Sequence, residues 1–203
     1  LRGSVPADNV FSSEGSSEQP LPAAGMLALE EHFATENVTR ITRLMQLSVQ
    51  YELVGTGWAK CVIADEESRC ELTASYLSDA LGKLVMGALG IQSGLQTVAF
   101  SFDEEPGEYR WVLRAIEGKD IEIELYAFDS LVNGNGDGIA HGRPLFTTAC
   151  PANVFASAVR DAAASILEQH GESGYREKWA EHPFPTRLLY LLSESLGPSR
   201  NGS

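Results

Sequence analysis

The sequence predicts an α+β fold in which helices pack on one face of an antiparallel sheet of about five or six strands. Three observations carry that expectation. Residues 96–128 hold three successive segments with period-two hydrophobicity, a meander of Val98, Phe100 and Phe102, then Tyr109, Trp111 and Leu113, then Ile121, Ile123 and Leu125. Apolar residues at helical spacing appear instead at 78–90 and 151–170. The strands come mostly before the helices rather than alternating with them, which argues against parallel βαβ units.

With 203 residues and no sign of a second core, the chain reads as one domain. Residues 1–25 are dominated by Ser, Gly, Pro and Glu, are too polar to bury much surface, and read as a disordered leader or an artificial extension. The single α+β domain then spans 26–203. Its first element is a helix at 26–46, from the spacing of Leu27, Leu29, Phe33, Val38, Ile41, Leu44 and Met45, with a break near Thr35.

Strands at 57–64 and 70–76 flank the turn Asp65-Glu66-Glu67-Ser68, and a register with Cys61 opposite Cys70 also sets Lys60 against Glu71. Ser78 and Asp79 supply an N-cap and a first-turn acid for the next helix. Its apolar face is Leu81, Leu84, Val85, Ala88 and Leu89, and Gly90 stops it. In the meander, Glu105-Pro106-Gly107-Glu108 suits a type II turn, and Glu117-Gly118-Lys119 suits a three-residue hairpin loop. The first hairpin is then expected to pair Phe102 with Trp111, Phe100 with Leu113 and Asp103 with Arg110. The second pairs Trp111 with Leu125, Leu113 with Ile123 and Arg114 with Glu122. Each pair keeps apolar residues on one side of the sheet, as directly opposed residues must. The other side carries Arg110, Arg114, Glu122, Glu124 and Tyr126.

After a Gly-rich loop at 133–138 and a short strand near 145–149, Pro151 opens a helix running to His170. It buries Val154, Phe155, Ala158, Ala162 and Ile166, with Gly171 just past its end. A last helix at 185–196 carries Leu188, Leu189, Leu191 and Leu192.

A net charge of -13 repels a phosphate backbone, so nucleic acid is excluded as a partner. A basic protein has the right sign, although an acidic surface also serves solubility. No apolar run reaches the roughly 18 residues of a membrane span, and the start lacks a basic segment followed by an apolar one. The expectation is a cytoplasmic protein with no membrane partner. Cys61, Cys70 and Cys150 have no CxxC spacing, which favours free, partly buried thiols over disulfides or a zinc site. No metal or cofactor is expected, since neither phosphate-binding glycine motif is present.

Asp103, Glu104, Glu105 and Glu108 gather at a hairpin tip with Arg110 beside them. A solvated turn is the simplest account and a protein contact the next; cation binding or acid-base chemistry would need further ligands or a histidine close by. The segment Asn133 to Gly138 matches the first half of an EF-hand loop, but Pro144 stands where the bidentate carboxylate belongs. A turn-forming connection is therefore favoured. Tyr109, Trp179 and His182 are the aromatic and histidine candidates for a pocket between the sheet and the 151–185 segment, and His141 is a further polar candidate. No Gly-x-Ser-x-Gly elbow surrounds Ser75 or Ser78.

The octapeptide at 28–35 resembles the first-strand segment of amidohydrolase-type decarboxylases, in which the residues matching Glu30 and His32 bind a metal. The rest of the chain lacks that family's alternation of strands and helices, so the segment is read as part of an amphipathic helix. The phrases at 75–81 and 103–111, followed by Glu-His-Pro-Phe-Pro at 181–185, look like those of uncharacterised bacterial proteins without an assigned role. That resemblance, over about 55–195, implies one domain and no particular activity.

The expected function is a non-enzymatic acidic protein-interaction module, inhibitor- or immunity-like, docking through the 103–108 tip and the nearby sheet face. The alternative is a small-ligand binder or hydrolytic enzyme using Tyr109, Trp179 and His182.

Overall fold

Strict alternation marks the first strand, β1 (Ser48–Leu53), where Val49, Tyr51 and Leu53 are buried and Ser48, Gln50 and Glu52 exposed. The computed structural model describes residues 47–130, 142–180 and 182–197. The expected helix at 26–46 with Glu30 and His32, the loop at 133–138 and His141 lie outside the described residues.

β1 joins β2 (Trp58–Ala64) and β3 (Arg69–Ser75) in an antiparallel sheet of order β1-β2-β3. A second antiparallel sheet runs β4-β5-β6-β7, built from β4 (Thr97–Asp103), β5 (Glu108–Ala115), β6 (Asp120–Phe128) and β7 (Arg143–Pro151). The expectation of one sheet with five or six strands is thus corrected to seven strands in two sheets among the described residues. The connection from β3 to β4 runs through helix α1 (Ala80–Gln92), and these two strands touch without forming a ladder. Periodicity shows which side chains turn inward, but not which strand edges share hydrogen bonds.

Two more helices follow, α2 (Ala152–Trp179) and α3 (Thr186–Leu196). α1 packs on β4 and α2, α2 on β1, and α3 on both other helices. One apolar cluster runs through both sheets and all three of these helices. Trp111 is fully buried within it, its ring 5.6 Å from both Phe100 and Phe102 and 6.4 Å from Phe155 on α2.

Helix ends differ from expectation for local reasons. Asp79, not Ser78, caps α1, its Oδ1 accepting from the Gly82 N–H at 3.0 Å. The Ser78 hydroxyl accepts instead from the Asp103 N–H at 3.2 Å. α1 continues past Gly90 to Gln92 because Ile91 finds the core. Gly171 does break α2, with φ 62 in the left-handed region that favours glycine. The chain then resumes its helix and buries Tyr175 and Trp179.

The β5–β6 register is the expected one, with Trp111 on Leu125, Leu113 on Ile123 and Arg114 on Glu122. The other two hairpins are displaced. Phe102 meets Tyr109, Phe100 meets Trp111 and Ser101 meets Arg110, because the turn closes from the Glu104 N–H to the Gly107 carbonyl at 2.8 Å. Pro106 follows a cis peptide bond and stands at i+2 of that turn, not at i+1 of a type II turn. Likewise Ile63 meets Cys70, Cys61 meets Leu72 and Lys60 meets Thr73. There Asp65 Oδ1 accepts from the N–H groups of Glu67 at 2.9 Å and Ser68 at 2.8 Å, setting Ala64 opposite Arg69.

All three cysteines are free and buried. Burial, opposed by an N–H donated from Phe155, pushes the Cys150 thiol from 9.0 up to about 12. Burial, with the nearby Tyr175, Cys61 and Asp79, also holds the Tyr51 phenol well above 10.0. Above pH 9.0 the unfolded Cys150 loses its proton while the folded one keeps it, so stability falls as pH rises. The slope is about 1.4 kcal/mol per pH unit for each such group until the folded form ionises. Urea titrations across this range check it; Cys150→Ala is expected to flatten the decline, and an unchanged slope would remove Cys150 as its source.

Candidate interaction site

The turn at 104–107 joins the end of β4 to the start of β5 and reaches Thr73 of β3 through Glu104. Its carboxylates are not equivalent. Asp103 lies 3.9 Å from Lys83 Nζ, and that ammonium also donates to the Ser101 carbonyl at 3.1 Å. The Thr73 hydroxyl donates to the Glu104 carboxylate, which also bonds Tyr109. Burial first, and then Glu104, raises the Tyr109 phenol above its usual pKa. Glu108 is buried at 6% exposure and paired with Arg110 on the same strand. The Arg110 guanidinium lies 4.3 Å over the Phe128 ring.

Of the tip acids, only Glu105 is an exposed side chain. Asp103, Glu104 and Glu108 are engaged within the fold, and Asp103 stands opposite Glu108 in the ladder rather than opposite Arg110. The adjoining sheet face forms a ladder: Arg114 pairs with Glu124 and lies 3.7 Å from Glu122, and the Tyr126 hydroxyl donates to Glu124 at 2.8 Å.

The three residues of the alternative pocket have separate roles. Tyr109 belongs to the tip. Trp179 is fully buried, its ring 6.2 Å from Tyr175, and its Nε1–H donates at 3.3 Å to the carbonyl of Ser78, the residue whose hydroxyl accepts from the Asp103 N–H. His182 is half-buried in the segment before α3. An opening of about 700 Å³ lies at the far end of the β4–β5 hairpin, lined by Gln92, Gln96, Lys119, Asp120 and Asn153 among others and by none of these three. No group of three or more metal-capable side chains occurs among the described residues. No described helix is long and apolar enough to cross a membrane.

Sequence reading missed an exposed apolar surface. The Gly57 N–H donates to the Lys178 carbonyl at 2.7 Å and the Tyr76 N–H to the Gly57 carbonyl at 3.0 Å. These bonds hold Val54, Trp58, Tyr76 and Leu77 together at one end of the three-stranded sheet, each 38 to 50% exposed. The signal was available: Trp58 falls on the opposite parity to the buried Ala59 and Cys61. No family model, curated protein or solved structure matches the chain.

Proposed function

We propose that this chain is a non-enzymatic acidic interaction module, inhibitor- or immunity-like, whose partner is a basic protein. The observations that support the reading are the exposed Glu105 of the tip and the exposed Trp58, Tyr76 and Leu77 at one end of the three-stranded sheet, on a chain of net charge -13. Large aromatics with a polar rim are what protein interfaces favour, and a negative field speeds encounter with a cation-rich surface. A bacterial, cytoplasmic setting belongs to the same proposal.

The test places a photo-crosslinking side chain at position 105 in the native host and identifies the captured protein. Glu105→Lys is then expected to slow association with it by about tenfold at low salt, and Trp58→Ala to speed dissociation. An acidic captured protein, or kinetics untouched by both substitutions, would remove this surface from the account.

A further inference from the structure

β1 ends its sheet, so along one edge it has no strand partner among the described residues. Every second N–H and C=O of such an edge points outward and can pair with another chain. A trough of about 410 Å³ runs beside it, lined by the consecutive residues Val49, Gln50, Tyr51 and Glu52 and, across from them, by Asp161, Ser165 and Gln169 of α2. Asp161, Ser165 and Gln169 recur at every fourth position, one stripe down the helix, with Ala162 beside it. That stripe advances roughly 12 Å at 1.5 Å per residue. The strand residues facing it advance roughly 10 Å at about 3.3 Å per residue. The two walls match in length, with room for about three or four residues of extended chain between them.

Charge selects the occupant. Glu52 and Asp161 are the charged residues of the lining, and no cation is among them. Lys60 reaches Glu52 at 3.9 Å and Arg160 reaches Asp161 at 2.8 Å, yet both carboxylate side chains stay exposed, at 65% and 67%. β1 turns Val49 and Tyr51 toward the core beneath α2 and Gln50 and Glu52 outward. Both sides of an added strand would therefore meet a carboxylate, Asp161 on the helix side and Glu52 on the outer side.

We infer that this trough binds an extended, lysine- or arginine-bearing peptide segment of a partner as an added strand on β1. Backbone pairing supplies the affinity and the two carboxylates the preference for cations, as in other strand-addition sites. The inference rests on the reading of the chain as an acidic interaction module and names where a basic segment docks.

Randomised linear peptides displayed on phage, selected on the whole chain, test it. Retained peptides are expected to be enriched in lysine and arginine and to protect the amides of residues 49–52 from hydrogen exchange. Ser165→Trp, which fills the trough from its α2 wall, should abolish retention. Asp161→Lys should weaken retention by about tenfold, with both variants melting as the parent does. Basic peptides that map to 103–108, or that survive Ser165→Trp, would overturn the strand-addition site and leave the interaction-module reading standing. Retention of neutral or acidic peptides only, or of none, would likewise overturn the strand-addition site, while the interaction-module reading is decided separately by the protein captured at position 105.

Discussion

Replacing Trp111 with alanine is expected to cost about 3–5 kcal/mol, the range for deleting a fully buried large ring. The ring is fully buried and touches aromatic partners on its own sheet and on α2, so its removal opens a cavity between two layers. Its Nε1–H has no hydrogen-bond partner among the described residues. A buried unpaired donor already costs about 1–3 kcal/mol, so Trp111→Phe, which deletes the donor and keeps a ring, should cost less than the alanine change. Trp58→Ala is the control, because that side chain is 39% exposed, and it should cost only about 0.5 kcal/mol. Urea denaturation midpoints decide between these expectations. Equal losses for the Trp58 and Trp111 alanine variants would mean that the aromatic cluster does not organise the fold.

Arg110→Ala is expected to cost about 3–5 kcal/mol as well, by a different mechanism. It takes the guanidinium from a carboxylate that is only 6% exposed and uncovers the Phe128 face. Removing the charge in turn should recover much of the loss, so the double variant Glu108→Gln with Arg110→Ala is predicted to be more stable than Arg110→Ala alone. Failure of that recovery in a denaturant cycle would show that Arg110 stabilises through contacts other than its pair with Glu108, its cover of Phe128 among them. The outcome bears on function: Glu108 and Arg110 were expected at the docking surface, yet their substitution perturbs the fold itself. Among the tip acids, Glu105 can be changed with the least disturbance to packing.

The legible and illegible parts of this fold separate along one physical line. Alternation assigns each strand residue to a face, and a slip of two residues leaves every side chain on that face. The β5–β6 register was correctly expected because a three-residue loop at 117–119 and the oily face agree. The β4–β5 and β2–β3 registers were each displaced because closing hydrogen bonds at Glu104 and Asp65, not hydrophobicity, set the turn. β1 was missed although Val49, Tyr51 and Leu53 alternate as cleanly as any segment. The acid cluster was visible by composition, but its internal partners Lys83, Thr73 and Arg110 are brought to it by α1, β3 and its own strand.

The sequence by itself determined the α+β class, the inward faces of the meander, the spans of α1 and α3 to within a few residues, the break of α2 at Gly171 and the free state of the thiols. These follow from local periodicity, capping chemistry and cysteine spacing. Only the tertiary structure decided that the strands divide into two sheets, that Glu108 is buried and Glu105 exposed, and that β1 lies edge-on to a polar stripe of α2. Each of those outcomes depends on which distant segments meet, and packing of a shared core selects among arrangements that the local pattern leaves equivalent.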